Sequence, residues 1–307
     1  MSPVPLISEN FADVLDVRFR DIAPGTYDKG KSMIPVLFTV KDSDRSEEKY
    51  SALTPMGEFE EFTDAVALSG AYQEYDVTST HIEFALATQI RRALYDDDQF
   101  GVIDEQFAEL GNSAFKTHEN DAADVFRGAF SNPSDFYVHT EGVALCSNSH
   151  TTPVENVSTA TGFDNLTTGE LNPANLTAAL IQARLFSDAA GDPIGDFQNL
   201  ELLVSVQNAD RAQEIIKTTK GLDTEEGNIN VHESRFKVID WYRLGTSKDW
   251  FLMDADRRKK NLIWFWRVPL ELAKMEQFEN IIAKGRGYMR YSYLRRDWRF
   301  IIGADVT

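Results

Sequence analysis

Apolar residues recur at three- and four-residue spacing in Phe11, Val14, Leu15, Phe19 and Ile22, behind a capping Ser8 and ahead of Pro24-Gly25, which predicts an N-terminal helix. Ile34 to Val40 is β-rich, KDSDRSEEK is polar, and Tyr50 to Leu53 resumes the β pattern, so the segment reads as an extended hairpin with a charged tip. A two-stranded ribbon is marginal in water unless another surface covers its apolar face. Gly57 to Ala71 is acidic and loop-like. Tyr75 to Ala87 alternates as a strand, while Ile82, Leu86 and Ile90 also fit helical spacing, and periodicity leaves the two readings open. A short helix is expected over Gln89 to Tyr95.

The clearest helix follows, with Ile103, Phe107, Leu110, Ala114, Ala122, Val125 and Phe126 on one stripe and a stop at Ser131-Asn132-Pro133. After a Thr/Asn/Gly-rich loop, a helix starts at Asn172-Pro173 or Asn175, carries Leu180, Leu185 and Phe186, and ends near Gly191. Leu202 to Val206 reads as a buried strand, Ala209 to Lys217 as a helix and Phe236 to Trp241 as a strand. Trp250 to Met253 is expected to pair with Leu262 to Val268 across a DADRRKK turn, and strands over Arg286 to Tyr293 and Trp298 to Ile302 close the chain.

Composition narrows the class. The 307 residues are 42% hydrophobic and 11% aromatic, enough for a large buried core in one domain or two lobes. Neither a run of about 20 apolar residues nor a basic-then-apolar leader occurs, which disfavours a membrane span and a signal peptide. A single cysteine, Cys146, fits folding in a reducing cytoplasm. The sequons at Asn156, Asn165 and Asn175 read as ordinary turn residues, since no secretory route is evident.

The net charge of -18 is uneven: residues 1 to 150 hold 11 Lys+Arg against 27 Asp+Glu, and 151 to 307 hold 20 against 22. Residues 257 to 299 carry 12 basic and 4 acidic side chains. Opposite potentials on one chain suit head-to-tail contact between copies, and a chain this acidic lacks the basic footprint of a sequence-specific DNA binder.

Catalytic and metal motifs are missing from the sequence. His139, Cys146 and His150 have neither metal-ligand spacing nor a fourth ligand, and read as a polar loop with a buried thiol. Asp96, Asp97 and Asp98 lack the order of a calcium loop and read as charge at the positive end of the next helix. Gly285-Arg286-Gly287 is too short for a phosphate loop. Arg257, Arg258, Lys259 and Lys260 read as a solvated turn or a contact for an acidic patch on a neighbour, and Trp264 and Trp266 as core residues. The chain is therefore expected to be no enzyme and to need no cofactor.

Several collinear segments resemble the tailed-phage major head proteins of the Hong Kong 97 fold, most closely their Mu-like branch. Ile90-Arg91-Arg92-Ala93-Leu94-Tyr95-Asp96-Asp97-Asp98 with Gln99-Phe100-Gly101 resembles the run before their spine helix. Gly142 to His150, with Asp164-Asn165-Leu166 and Leu171, resembles the crossing into their second lobe. Leu203-Val204, the helix from Ala209, Arg235 to Ile239, Asp249 to Leu252, Arg290-Tyr291 and Asp297 to Gly303 follow in the same order. Ser205-Val206-Gln207-Asn208 departs from the Pro-Pro those proteins often carry after the Leu-Val strand.

The resemblance implies an α+β fold of Hong Kong 97 type, with an N-terminal arm (1–30), an extended hairpin loop (31–70) and a peripheral domain with its spine helix (71–150). An axial domain with a mixed sheet (151–285) and a C-terminal return to the peripheral domain (286–307) complete it. It implies a head protein of the virion, made in the host cytoplasm, whose partners are copies of itself in pentamers and hexamers around DNA, with a separate scaffold, portal and decoration proteins. The interface residues expected from location are Phe38, Lys41, Arg45, Lys49, Asp96, Asp97, Asp98, Arg257, Arg258, Lys259 and Lys260. An encapsulin-like compartment shell is the alternative within the fold, and a cytosolic α/β hydrolase the distant one.

Overall fold

The structure, a computed structural model, describes residues 31–56, 61, 70, 72–91, 102–131, 134–219, 229–277 and 282–306. The helix expected from Ser8 to Ile22 and most of the acidic segment 57–71 lie outside these residues, as do Asp96, Asp97 and Asp98.

The chain enters through a single helical turn, α1 (Ile34–Leu37), with Pro35 in its first turn, followed by β1 (Thr39–Asp42) and β2 (Glu47–Tyr50). These two strands do not form the expected hairpin. β1 runs parallel to Ile263–Trp266, whereas β2 pairs antiparallel with β3 (Val77–Thr80), which continues to β5 (Tyr137–His139). The reason lies in Ile34, Leu37 and Phe38: all three are buried, and the helical turn with the extended residue that follows it packs them against the core.

β4 (Ile82–Arg91) resolves the open reading in favour of a strand, and so replaces the first residues of the helix expected from Gln89. The spine helix, α2 (Val102–Arg127), is 26 residues long, which at 1.5 Å per residue makes a rod of about 39 Å. It touches both halves of the molecule. Phe126 packs on Trp241 and Phe251 at its C-terminal end, while little more than a turn earlier Asp121 Oδ2 accepts a 2.5 Å hydrogen bond from the Tyr291 hydroxyl.

A mixed five-stranded sheet forms one half. Its order is β6 (Leu166–Thr167), β12 (Ile301–Ala304), β9 (Trp250–Asp254), β7 (Leu200–Val204) and β8 (Lys237–Asp240). All residues of β7, β9 and β12 are buried, because α3 (Pro173–Arg184), α4 (Val206–Lys217) and the spine cover the sheet, and such strands read as unbroken apolar runs. The Asn172 side chain caps α3 by accepting from Asn175 N–H. β7 and β8 are parallel, and α4 supplies the crossover that parallel neighbours need.

A four-stranded sheet, ordered β1, β10 (Leu262–Gln277), β11 (Ile282–Arg295) and β4, forms the other half. The expected pairing of Trp250–Met253 with Leu262–Val268 is not made. β9 instead pairs with β7 and β12, and DADRRKK is no turn: Asp254 caps a helix, α5 (Ala255–Asn261), by accepting from the N–H groups of Asp256 and Arg257. That helix carries the chain from one sheet to the other.

Candidate assembly interface

β10 spans 16 residues, about 50 Å of extended chain. Its first four residues are buried in the core, where Trp264 stacks on Tyr291 at 4.8 Å and Phe38 packs edge-on to Trp264 at 5.6 Å. Beyond Trp266 the sheet leaves the body. Leu86 and Met275 are 52% and 62% exposed, and strand β4 alternates only between half-buried and exposed positions. On one face the spine reaches this outer half at Gly287, where an added Cβ would stand 3.7 Å from Leu110 Cγ and 3.4 Å from Leu270 Cδ1. Those are ordinary van der Waals separations, so the spine and the sheet are in close contact at this point. Among the described residues, the outer half therefore offers two long edges and little cover, as a surface does when it is completed by other chains.

The residues expected at the interface are divided by burial. Phe38 is 3% exposed and belongs to the core, which corrects its assignment: its ring fills the space between Trp264 and Tyr293. Arg258 is likewise buried, its guanidinium held by Glu201 Oε2 at 2.9 and 2.8 Å and donating to Leu37 O. Arg257 donates to the carbonyls of Ile194 and Gly195 and lies 5.3 Å from the Phe197 ring centroid, so it fastens α5 to its own chain. Neither side chain is a solvated turn cation.

Lys41, Arg45, Lys49, Lys259 and Lys260 are exposed. Lys41 lies over the Tyr50 ring, and Lys49 pairs with Asp76 at 3.1 Å. Asp76 is held down at about 2, first by the Ser51 hydroxyl and then by Lys49. Lys259 lies 3.8 Å from Asp256 and accepts at its backbone carbonyl from Thr39 Oγ1 at 2.6 Å. Lys41, Arg45 and Lys49 lie on β1, β2 and the turn between them, and Lys259 and Lys260 on α5, which the Thr39 bond joins to β1.

The loop around Cys146 is architectural. Burial pushes the thiol far above its usual range, and it packs against Gly303, where an added Cβ would stand 2.6 Å from Sγ. Both His150 ring nitrogens face acceptor oxygens, of Glu141 at 3.0 Å and Asn165 at 3.1 Å, and the ring stacks on Trp298 at 4.2 Å. His139 points to Arg296 O instead. Among the described residues no group of His, Cys, Asp and Glu is placed to hold a metal ion, and no helix is long and apolar enough to cross a membrane.

The part of the surface that sequence reasoning missed is β4. Its signal was present: from Phe84 to Ile90 the strand has no charge, proline or glycine, which is unusual for an exposed edge.

Solved structures with the same fold are shells. The chain is similar to the subunit of the bacteriophage PhiM1 mature capsid, at 11% identity over 91% of this chain and 88% of that one, with a TM-score of 0.59. It is similar to the capsid of cyanophage P-SCSP1u, at 10% identity over 90% and 88% with a TM-score of 0.59. A virus-like particle from Pyrococcus furiosus matches at 11% identity over 94% and 97%, with a TM-score of 0.52. Among curated protein sequences none matches. The phage capsid protein family matches residues 74–304, which takes in β4, β10 and β11 of the outer sheet, the spine helix and the five-stranded sheet together. The chain belongs to the phage capsid protein family, a structural protein and not an enzyme.

Proposed function

We propose that this chain is the major head subunit of a tailed phage, assembling through pentamers and hexamers into an icosahedral shell around double-stranded DNA. The observation that carries the reading is the family match across both halves of the subunit, joined to an outer sheet whose end strand β4 has no further partner strand among the described residues. Closed shells need each copy to meet several others through different surfaces, and open edges, exposed lysines and an acidic first half provide such surfaces. A net charge of -18 keeps the wall from adhering to the DNA it encloses. The Mu-like branch rests on the collinear sequence segments alone.

In this reading residues 1–30 act as an arm and residues 71–150 with 286–307 as the peripheral domain, with the axial domain in 151–285 around five- and six-fold centres. The hairpin loop assigned to 31–70 keeps its place in the chain but not its form, because 39–42 and 47–50 belong to two different sheets. Scaffold, portal and decoration proteins would be separate chains, and the virion is the final location. Negative-stain electron microscopy of the purified chain is expected to show closed shells or ring-shaped capsomers. Particles from a phage lysate should also carry DNA that survives nuclease. A chain that stays a small oligomer, or shells whose only content is an enzyme, would contradict the proposal, the second in favour of a compartment shell.

A further inference from the structure

β4 ends its sheet, hydrogen-bonded to β11 on one side and to no described strand on the other. Alternate residues of an edge strand turn their N–H and C=O groups outward, and natural proteins block such edges with charge, proline or bulges. The opposite side of the same outer sheet is blocked in this way. β10 carries Pro269 and Glu271 just beyond the part covered by β1, and its register with β11 shifts between Trp266 and Val268 and again between Val268 and Glu271. β4 keeps an unbroken register with β11 from Ile82 to Arg91, and its only charged residues are Glu83 and Arg91.

The placement of those two charges selects a partner. If two copies of β4 pair antiparallel about a two-fold axis, the alternation of hydrogen-bonded and non-hydrogen-bonded pairs requires the axis to pass through a residue that faces itself. With the axis at Ala87, Glu83 of each copy faces Arg91 of the other and Phe84 faces Ile90. With the axis at Leu86, Glu83 faces Gln89; at Thr88, Arg91 faces Ala85. Both alternatives lose the opposite-charge pairs that stabilise cross-strand neighbours. We propose that two copies of this chain join edge to edge through β4, antiparallel about Ala87, so that one sheet continues from subunit to subunit. This rests on the shell-forming reading.

The test uses cysteine pairs in assembled particles, where native Cys146 is buried and silent. Facing Cβ atoms in such a pair are about 5 Å apart, whereas two Ala85 positions would be offset by four residues, about 14 Å. Oxidised particles of A87C should therefore run as covalent dimers on a denaturing gel, and those of A85C as monomers. Intact particles in which neither variant links, or in which A85C links as well as A87C, overturn the proposal. Failure of the wild-type chain to form particles under any condition overturns the shell reading itself. Charge reversal gives a second readout. E83K and R91E should each lose most of the particle yield, and the double variant should recover it. Within one strand the two residues lie about 27 Å apart, so recovery reports the contact between copies. A double variant no better than either single one contradicts the pairing.

Discussion

Arg258 shows how a residue read as surface can hold a core together. It sits among Arg257, Lys259 and Lys260, yet its guanidinium is buried against Glu201, 57 residues earlier, where Lys237 Nζ adds a second contact at 3.2 Å. Removing one partner of a buried ion pair strands the other, so Arg258→Met is expected to cost about 3 kcal/mol in urea unfolding of the unassembled subunit. Lys259→Glu should stay within about 0.5 kcal/mol, because that side chain is solvated. The four-cation run was legible in the sequence; which of its members turns inward depends on a pairing between distant segments, and local pattern carries no trace of it. His118 supplies a pH response. Buried between Phe115 and Trp266, it is pushed down from the ordinary 6.5 to about 4 by desolvation. The folded state then binds fewer protons than the unfolded chain, so its contribution is complete above pH 6.5 and is lost as the pH falls toward 4, roughly 3 kcal/mol in all. Burial lowers His81, His139 and His232 in the same direction, while Glu74 and Asp121 are raised by burial and oppose the trend in the carboxylate range. The melting temperature should drop between pH 7 and pH 5, and His118→Phe should flatten that slope; equal slopes would remove His118 from the account.

The spine helix is the element best foreseen, since a stripe at helical spacing and a proline stop are local signals, and its observed span Val102–Arg127 follows them. α3, α4, β7 and β8 were legible for the same reason. What local pattern missed is pairing between distant segments. β1 lies beside β10 across more than two hundred residues of chain, and β10 runs nine residues past its expected end, where half-buried Leu270 and Leu272 alternate with exposed Pro269, Glu271 and Ala273. The spine also holds the entering chain. Glu119, 1% exposed, accepts from Ser32 Oγ at 2.5 Å and from Met33 N–H at 3.1 and 3.2 Å. Those bonds fix the segment that delivers Leu37 and Phe38 to the core. Glu119→Ala leaves two donors without their acceptor and is expected to cost about 2 kcal/mol, with faster hydrogen exchange at residues 32–38 and little change at 200–204. Uniform loss of protection would instead mark Glu119 as part of the global core.

At the scale of the molecule, the two halves differ in how complete they are alone. The central strands of the five-stranded sheet are buried throughout, whereas among the described residues the outer sheet has exposed positions along β4 and no strand beyond it. Deleting residues 36–51 would not leave an intact subunit lacking only an arm, because Leu37 and Phe38 belong to the core and Lys49–Tyr50 to the β2–β3 ladder. The charge asymmetry is better tested at Lys259 and Lys260, which reach solvent: their double replacement by Glu should slow assembly at low salt with little effect at high salt, as screening predicts. Unchanged light-scattering kinetics at low salt would free these lysines of that role. The uncharged run from Phe84 to Ile90 was visible in the sequence, but that this strand ends its sheet was not, because the strand order is set by pairing between distant segments. Whether neighbouring copies complete the outer sheet is read by hydrogen exchange compared between free subunits and shells. Amides of 82–91 and 268–277 should exchange fast in the free subunit and become protected on assembly, with 250–254 and 301–304 protected in both. Equal protection of the outer sheet before and after assembly would mean the subunit completes its own surface, and would contradict the account.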